Sequence, residues 1–141
     1  MKEYEKGFVI GMMEGEGSIC LLNKKDGLQP TISMGSKDRV LLERVKSIIG
    51  YGHIHKQFNK KNNKMYWIYQ IGGHKTIIKV LAWMIPFLIT KMKRALLLKE
   101  YCEQRIEKNS SWTGRDIRKY GGSGPPYSES DYKFVELIQN A

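Results

Sequence analysis

The chain has 141 residues, 24 Lys and Arg against 14 Asp and Glu, a formal charge of +10 and a pI of about 9.6. That length allows one domain, or one half of a symmetric assembly, and the 41% hydrophobic content excludes a disordered chain. A folded, basic chain with 11% aromatics points to nucleic acid ahead of an anionic membrane surface, because no basic amphipathic helix stands alone.

In chain order, Tyr4, Phe8, Val9, Met12 and Met13 recur at helical spacing and predict a first helix over residues 4–13, stopped by Gly15 and Gly17. Residues 18–24 read as a strand, Lys25-Asp26-Gly27 as a turn, and residues 29–35 as a second strand. Ser36 or Asp38 caps the next helix, whose stripe of Val40, Leu41, Val45, Ile48 and Ile49 ends at Gly50 and Gly52. Residues 53–58 alternate as a third strand, 59–64 form a polar turn, and 65–72 form an aromatic-rich fourth strand. A helix then runs to about Ile85, where Pro86 interrupts it, and another covers about 92–107. Residues 109–127 hold four glycines and two prolines and read as a surface loop or tether. Ser128 with Asp131 caps a last helix over 129–139.

This order predicts an α+β fold, an αββαββα core with a four-stranded antiparallel sheet and additional C-terminal helices. Residues 1–108 form the core and 109–141 a loop and C-terminal helix extending the same domain. Helices cover one sheet face. If Ile19, Leu21, Ile32, Met34, Ile54, Trp67, Tyr69 and Ile71 point to the helices, the open face carries Cys20, Leu22, Lys24, Gln29, Thr31, Ser33, His55, Gln57, Tyr66, Ile68 and Gln70. That face is rich in hydrogen-bonding groups, and a curved β-ribbon of this kind fits the DNA major groove and reads base edges. The alternative is an ordinary solvated sheet face.

One stretch, Phe8 to Ser18, stands apart. Gly11 and Gly15 share a helix face bare of side chains, which lets another backbone approach closely. Glu14 and Glu16 fall at the helix C-terminus, where the macrodipole is already negative and acids need a cation to answer them. Cys20 and Cys102 lack metal-type neighbours, and Lys2, Glu3, Glu5 and Lys6 break any signal peptide, so a reduced intracellular protein is expected. Residues 77–89, the longest apolar stretch, contain Lys79 and Pro86 and are too short to span a bilayer, so no membrane association is expected.

Val9-Ile10-Gly11-Met12-Met13-Glu14-Gly15-Glu16-Gly17 resembles the nine-residue signature of the LAGLIDADG homing endonucleases, with both acids as Glu. The αββαββα order, Ser36-Lys37-Asp38 ahead of a helix ending in Gly50-x-Gly52, and Pro86-Phe87-Leu88 followed by Lys91, Lys93 and Ala95 extend the resemblance over residues 4–108. The resemblance implies an intron-encoded, site-specific double-strand DNA endonuclease acting on a long, near-palindromic target. It implies a divalent cation: Mg²⁺, or Mn²⁺ or Ca²⁺ bound in its place. The motif starts close to the first Met, so a free-standing protein is expected, not one embedded in a splicing domain, and archaeal cytoplasm and an organelle are equally compatible. A single motif copy in so short a chain implies a homodimer, with Phe8, Gly11, Met12 and Gly15 at the interface. A crowded contact within one chain is the alternative for the glycines.

By the same resemblance Glu16 is the metal-binding catalytic acid and Gly15 gives its carbonyl, while Lys91 matches a lysine near the scissile phosphate. Ser36 stands where the family often has Gln. Glu14 is structural or a solvated helix-end charge. Lys93 and Arg94, with Lys24, Lys56, Lys60, Lys61 and Lys64 in or near the turns, are expected at DNA phosphates, and Leu22 and Ile68 at thymine methyls. His53, His55 and His74 lack the further ligands a zinc site needs. An intron RNA maturase, or a non-catalytic DNA-binding protein of the same fold, is the alternative function.

Overall fold

The computed structural model describes residues 1–112 and 124–141. Its elements are α1 (Glu3–Glu16), β1 (Gly17–Lys24), β2 (Gly27–Ser36), α2 (Arg39–Ile49), β3 (His53–Asn59), β4 (Lys64–Gly72), α3 (His74–Met84), a 3₁₀ turn (Ile85–Phe87), α4 (Met92–Ser110) and α5 (Glu129–Gln139). Most of the predicted loop over 109–127 lies outside the described residues.

The sheet is antiparallel throughout, in the order β1-β2-β4-β3. Each hairpin closes through a residue in the left-handed region, Gly27 at φ +126° and Asn63 at φ +55°. A side chain at Gly27 would also run into the Tyr127 ring, so this turn must be glycine twice over. Asp38 caps α2 by accepting from the Val40 N–H at 3.0 Å, and Gly50 at φ +86° ends it.

The helices lie on one sheet face. Strand alternation sends Ile19, Leu21, Ile32, Met34, Tyr69 and Ile71 into them, all buried, with Ile54 and Trp67 half-buried at the margin. Val9 and Met13 of α1, Leu42 and Val45 of α2, and Ile77, Leu81 and Leu98 of α3 and α4 complete that core.

Two helices run past the ends read from the sequence, and the strands extend by one or two residues. The first helix runs through Gly15 to Glu16, because the chain passes straight from the last helical residue into extended backbone at Gly17 (φ −87°, ψ 161°). Gly17 rather than Gly15 is the sterically required glycine, with the Met13 side chain and carbonyl where its Cβ would stand. Helix α4 extends to Ser110, three residues beyond expectation.

Helix α5 folds back against α4 and β1, and so covers an edge strand. Its anchor is a buried charge cluster: Arg105 and Asp131 are 4% and 3% exposed, 3.7 Å apart, with Lys108 at 3.1 Å from Asp131. Arg105 also donates to the Pro125 carbonyl and lies 4.3 Å from the Tyr127 ring centroid. Burial opposes the Asp131 charge, but bonds from the Ser128 backbone and from Lys108 outweigh it and hold the carboxyl below its usual range.

Candidate active site and nucleic-acid face

The uncovered sheet face is a trough. Ser18, Cys20, Leu22 and Lys24 of β1, Thr31 and Ser33 of β2, His55 and Gln57 of β3, and Ile68 and Gln70 of β4 line one concavity of about 370 Å³. The register explains the set: Ser18 pairs with Ser33, Cys20 with Thr31, His55 with Ile68, and β2 meets β4 at Ser33–Gln70, so partners share the face. Nine of the eleven residues assigned to this face from alternation line the trough, and the other two, Gln29 and Tyr66, extend it through their pairs Leu22 and Gln57. Ser18 is the addition, legible from the same alternation once the strand starts at Gly17. Thr31 forms the floor, only 6% exposed, its hydroxyl donating to its own strand at Gln29. Among the described residues no acidic side chain lines the trough.

Lysines stand beyond it. Lys60, Lys61 and Lys64 are exposed in the β3–β4 turn, which the Asn59 and Asn62 side chains brace by accepting the Lys61 and Lys64 N–H groups at 3.0 and 3.1 Å. Lys56 instead leans onto Trp67, 5.1 Å from the ring centroid, with Arg39 at 4.6 Å. Lys93 is exposed at the start of α4. Arg94 departs from the expected phosphate contact: its guanidinium donates to the Gln139 and Ala141 carbonyls at 3.1 and 3.2 Å, closing the end of α5.

At the end of α1 the two motif acids separate. The Glu14 carboxylate accepts the Ile89 N–H at 2.6 Å, the Thr90 N–H at 3.2 Å and the Thr90 hydroxyl. The Thr90 hydroxyl, aided by these backbone bonds, holds the Glu14 carboxyl below the usual carboxylate range. Glu14 is therefore the strap that fixes the segment before α4. The residue after the strap, Lys91, reaches back with its ammonium to the Glu14 carbonyl at 2.6 Å. The cation that acids at a helix C-terminus require is thus Lys91, seated on the negative pole of α1.

Glu16, two residues on, is exposed, and no hydrogen bond or ion pair engages its carboxylate among the described residues. Ser36 lies at the same end of the sheet, since Gly17 pairs with Met34. Its hydroxyl accepts the Asp38 N–H at 3.0 Å, which ties it to the start of α2.

The free Glu16 carboxylate and the Gly15 carbonyl are hard oxygen donors, the kind Mg²⁺ and Ca²⁺ take. Among the described residues no three of His, Cys, Asp and Glu come together, so one chain offers no all-protein cage. The donor set fits a cation that keeps waters and takes phosphate oxygens as further ligands, as Mg²⁺ does.

The glycine face of α1 is open. A Cβ at Gly7, Gly11 or Gly15 would meet nothing within 4 Å, which removes the crowded intrachain contact as their explanation among the described residues. Gly7 lengthens the stripe by one turn, a spacing already present in the sequence. Phe8 and Met12 border it, half-buried.

His53 and His55 stack loosely at 5.6 Å on β3, while His74, at the start of α3, lies 6.1 Å from the Tyr101 ring. Both cysteines are free. Cys20 contacts the Ser18 hydroxyl at 2.9 Å in the trough, and burial pushes the Cys102 thiol up to about 12. Among the described residues no helix is long and apolar enough to cross a membrane.

No protein-family model matches the sequence, and no curated protein matches it. Solved structures do. The archaeal intron-encoded homing endonuclease I-Vdi141I, solved in complex with DNA, superposes with a TM-score of 0.65 at 18% identity over 99% of this chain and 98% of that one. The homing endonuclease I-CvuI, solved with its target in the presence of Ca, gives a TM-score of 0.61 at 15% identity over 99% and 97%. The LAGLIDADG meganuclease I-AabMI, bound to uncleaved DNA, gives 0.60 at 24% identity over 94% of this chain but 50% of its own. At these identities the likeness concerns architecture: this chain has the LAGLIDADG endonuclease fold.

Proposed function

We propose that this chain is a site-specific double-strand DNA endonuclease, dependent on a divalent metal and active as a homodimer. The observation that carries the reading is the joining, in one fold, of a basic molecule's polar trough, acid-free among the described residues, to a helix end where Lys91 caps the Glu14 carbonyl and the Glu16 carboxylate has no partner among the described residues. The glycine stripe supports the dimer: Gly7, Gly11 and Gly15 leave α1 free to meet a second α1 backbone to backbone. A twofold axis along two such helices brings both Glu16 side chains and both Lys91 ammonium groups to one place, with a trough on either side for each half-site.

The division of labour follows from the chemistry. In the trough, Gln57, Gln70, Ser33 and His55 offer donors and acceptors to base edges, and Leu22 and Ile68 offer apolar contact to thymine methyls. Lys24, Lys60, Lys61, Lys64 and Lys93 meet phosphates and set the register. Glu16 and the Gly15 carbonyl hold the cation, which when bound polarises the scissile phosphate and makes its water a better nucleophile. Lys91 stabilises the charge that develops on the phosphate oxygens. Glu14, by fixing Ile89 and Thr90, sets where Lys91 stands. Ser36 acts on the phosphate or its water from the β2 end, through an intervening water because its side chain is short.

The test is cleavage of a randomised duplex library with Mg²⁺ by wild type and by Glu16→Gln. Metal-dependent cutting at a long, near-palindromic sequence by wild type alone is the expected result. Tight DNA binding without nicking by wild type would overturn the catalytic part, and preference for intron RNA over DNA would replace the reading with that of a maturase.

A further inference from the structure

Beside the glycine stripe lies a second apolar feature with no occupant of its own. Tyr4, Glu5 and Phe8 of α1 and Arg44 and Ile48 of α2 line a concavity of about 230 Å³. Its aromatic wall is open, with Tyr4 64% exposed, and the Arg44–Glu5 pair at 3.2 Å closes one rim. On the other flank of α1 stands the 3₁₀ turn that Pro86 imposes. Its Phe87 is 48% exposed and lies 5.9 Å from the Lys6 ammonium, so the ring is level with the first turns of α1. An apolar groove and an aromatic knob thus stand at the same height on opposite sides of one bare stripe.

Helical geometry fixes which side each occupies. At about 100° per residue, Tyr4 and Phe8 lie to one side of the Gly7–Gly11–Gly15 line, and Glu14, Ile10 and Lys6 lie progressively further round to the other. When two parallel helices meet across a twofold axis, what lies clockwise of the contact on one copy faces what lies anticlockwise on the other. The groove of each copy therefore faces the knob of its partner, and the parallel arrangement keeps them level.

We propose that the Tyr4–Phe8–Ile48 groove receives Phe87 of a second copy of this chain, twice per dimer by symmetry, with Lys6 arriving beside the Glu5 carboxylate. The proposal rests on the parallel twofold packing of α1 put forward above. It adds two buried aromatic anchors to an interface whose centre is backbone alone, the role aromatic side chains fill at interface hot spots.

Disulfide trapping tests it, in a Cys20→Ser background. Gly11→Cys alone should cross-link to itself across the axis and report the helix pairing. Tyr4→Cys and Phe87→Cys, each unable to cross-link alone, should do so only when the two proteins are mixed. Phe87→Ala should also weaken the dimer on the order of 10-fold by sedimentation, as the loss of a buried aromatic anchor does. Self-linking of Gly11→Cys without a mixed Tyr4→Cys–Phe87→Cys product overturns the groove proposal and leaves the helix dimer standing. Self-linking by Tyr4→Cys or Phe87→Cys alone overturns it by reversing the sides. A monomer that links in no combination removes both the groove and the dimer.

Discussion

Glu14 and Glu16 are separated by one glycine and differ in everything that matters chemically. Glu14 spends its carboxylate on Ile89 and Thr90, three donors that favour the charged form, while Glu16 has no such partner among the described residues. That contrast supports the proposed division, a structural role for the first acid and a metal-binding one for the second. Glu14→Gln keeps one acceptor oxygen and loses the charge, so the Thr90–Lys91 segment should loosen. Cleavage should fall on the order of 100-fold, the scale of a small misplacement of an active group, with DNA affinity in gel shift unchanged. Equal losses of affinity and cleavage would count against a positioning role. Because the folded carboxyl titrates below the unfolded one, its contribution is complete above the ordinary carboxylate range and fades as pH falls through the lower, folded value. A melting temperature that is flat at neutral pH and drops in acid, less so in Glu14→Gln, is the corresponding observation.

The elements show which parts of this chain are written locally. The strand alternation was legible because each hairpin strand has one buried and one open face, so placing Ile32 on the core side forces Ser33 into the trough. The motif helix was legible as a glycine-faced segment ending in acids, but its end was placed at Met13, three residues too early. Gly15 resembles a helix stop until Met13 is seen packed beneath Gly17. What the sequence left dark is long-range pairing: Glu14 to Thr90, Arg94 to the end of α5, and Arg105 to Asp131 span 76, 47 and 26 positions, the last from 131 − 105. The last of these makes a prediction about α5. Asp131→Asn leaves the buried Arg105 without its counter-charge, and breaking a buried pair from one side costs about 3 kcal/mol or more. Urea unfolding should show that loss, together with reduced protection of the α5 amides from hydrogen exchange. A change within a few tenths of a kcal/mol would mean that the charge on Asp131, shared with Arg105 and Lys108, does not anchor this helix.

At the scale of the whole molecule, a charge of +10 and a trough that is acid-free among the described residues suit a polyanion, and one stripe of bare backbone suits a second copy. Neither explains the other unless the helices that meet on the axis are also the helices that end in Glu16. The proposed dimer joins the two: one acid per chain, two chains, two strands cut. It is tested most directly on a supercoiled plasmid carrying a sequence recovered from the cleavage library, treated with Mg²⁺ and three preparations: wild type, Glu16→Gln, and a linked or mixed dimer with one subunit of each. Wild type should give linear product, the mixed dimer nicked circles and Glu16→Gln uncut plasmid. Linear product from Glu16→Gln alone would contradict it.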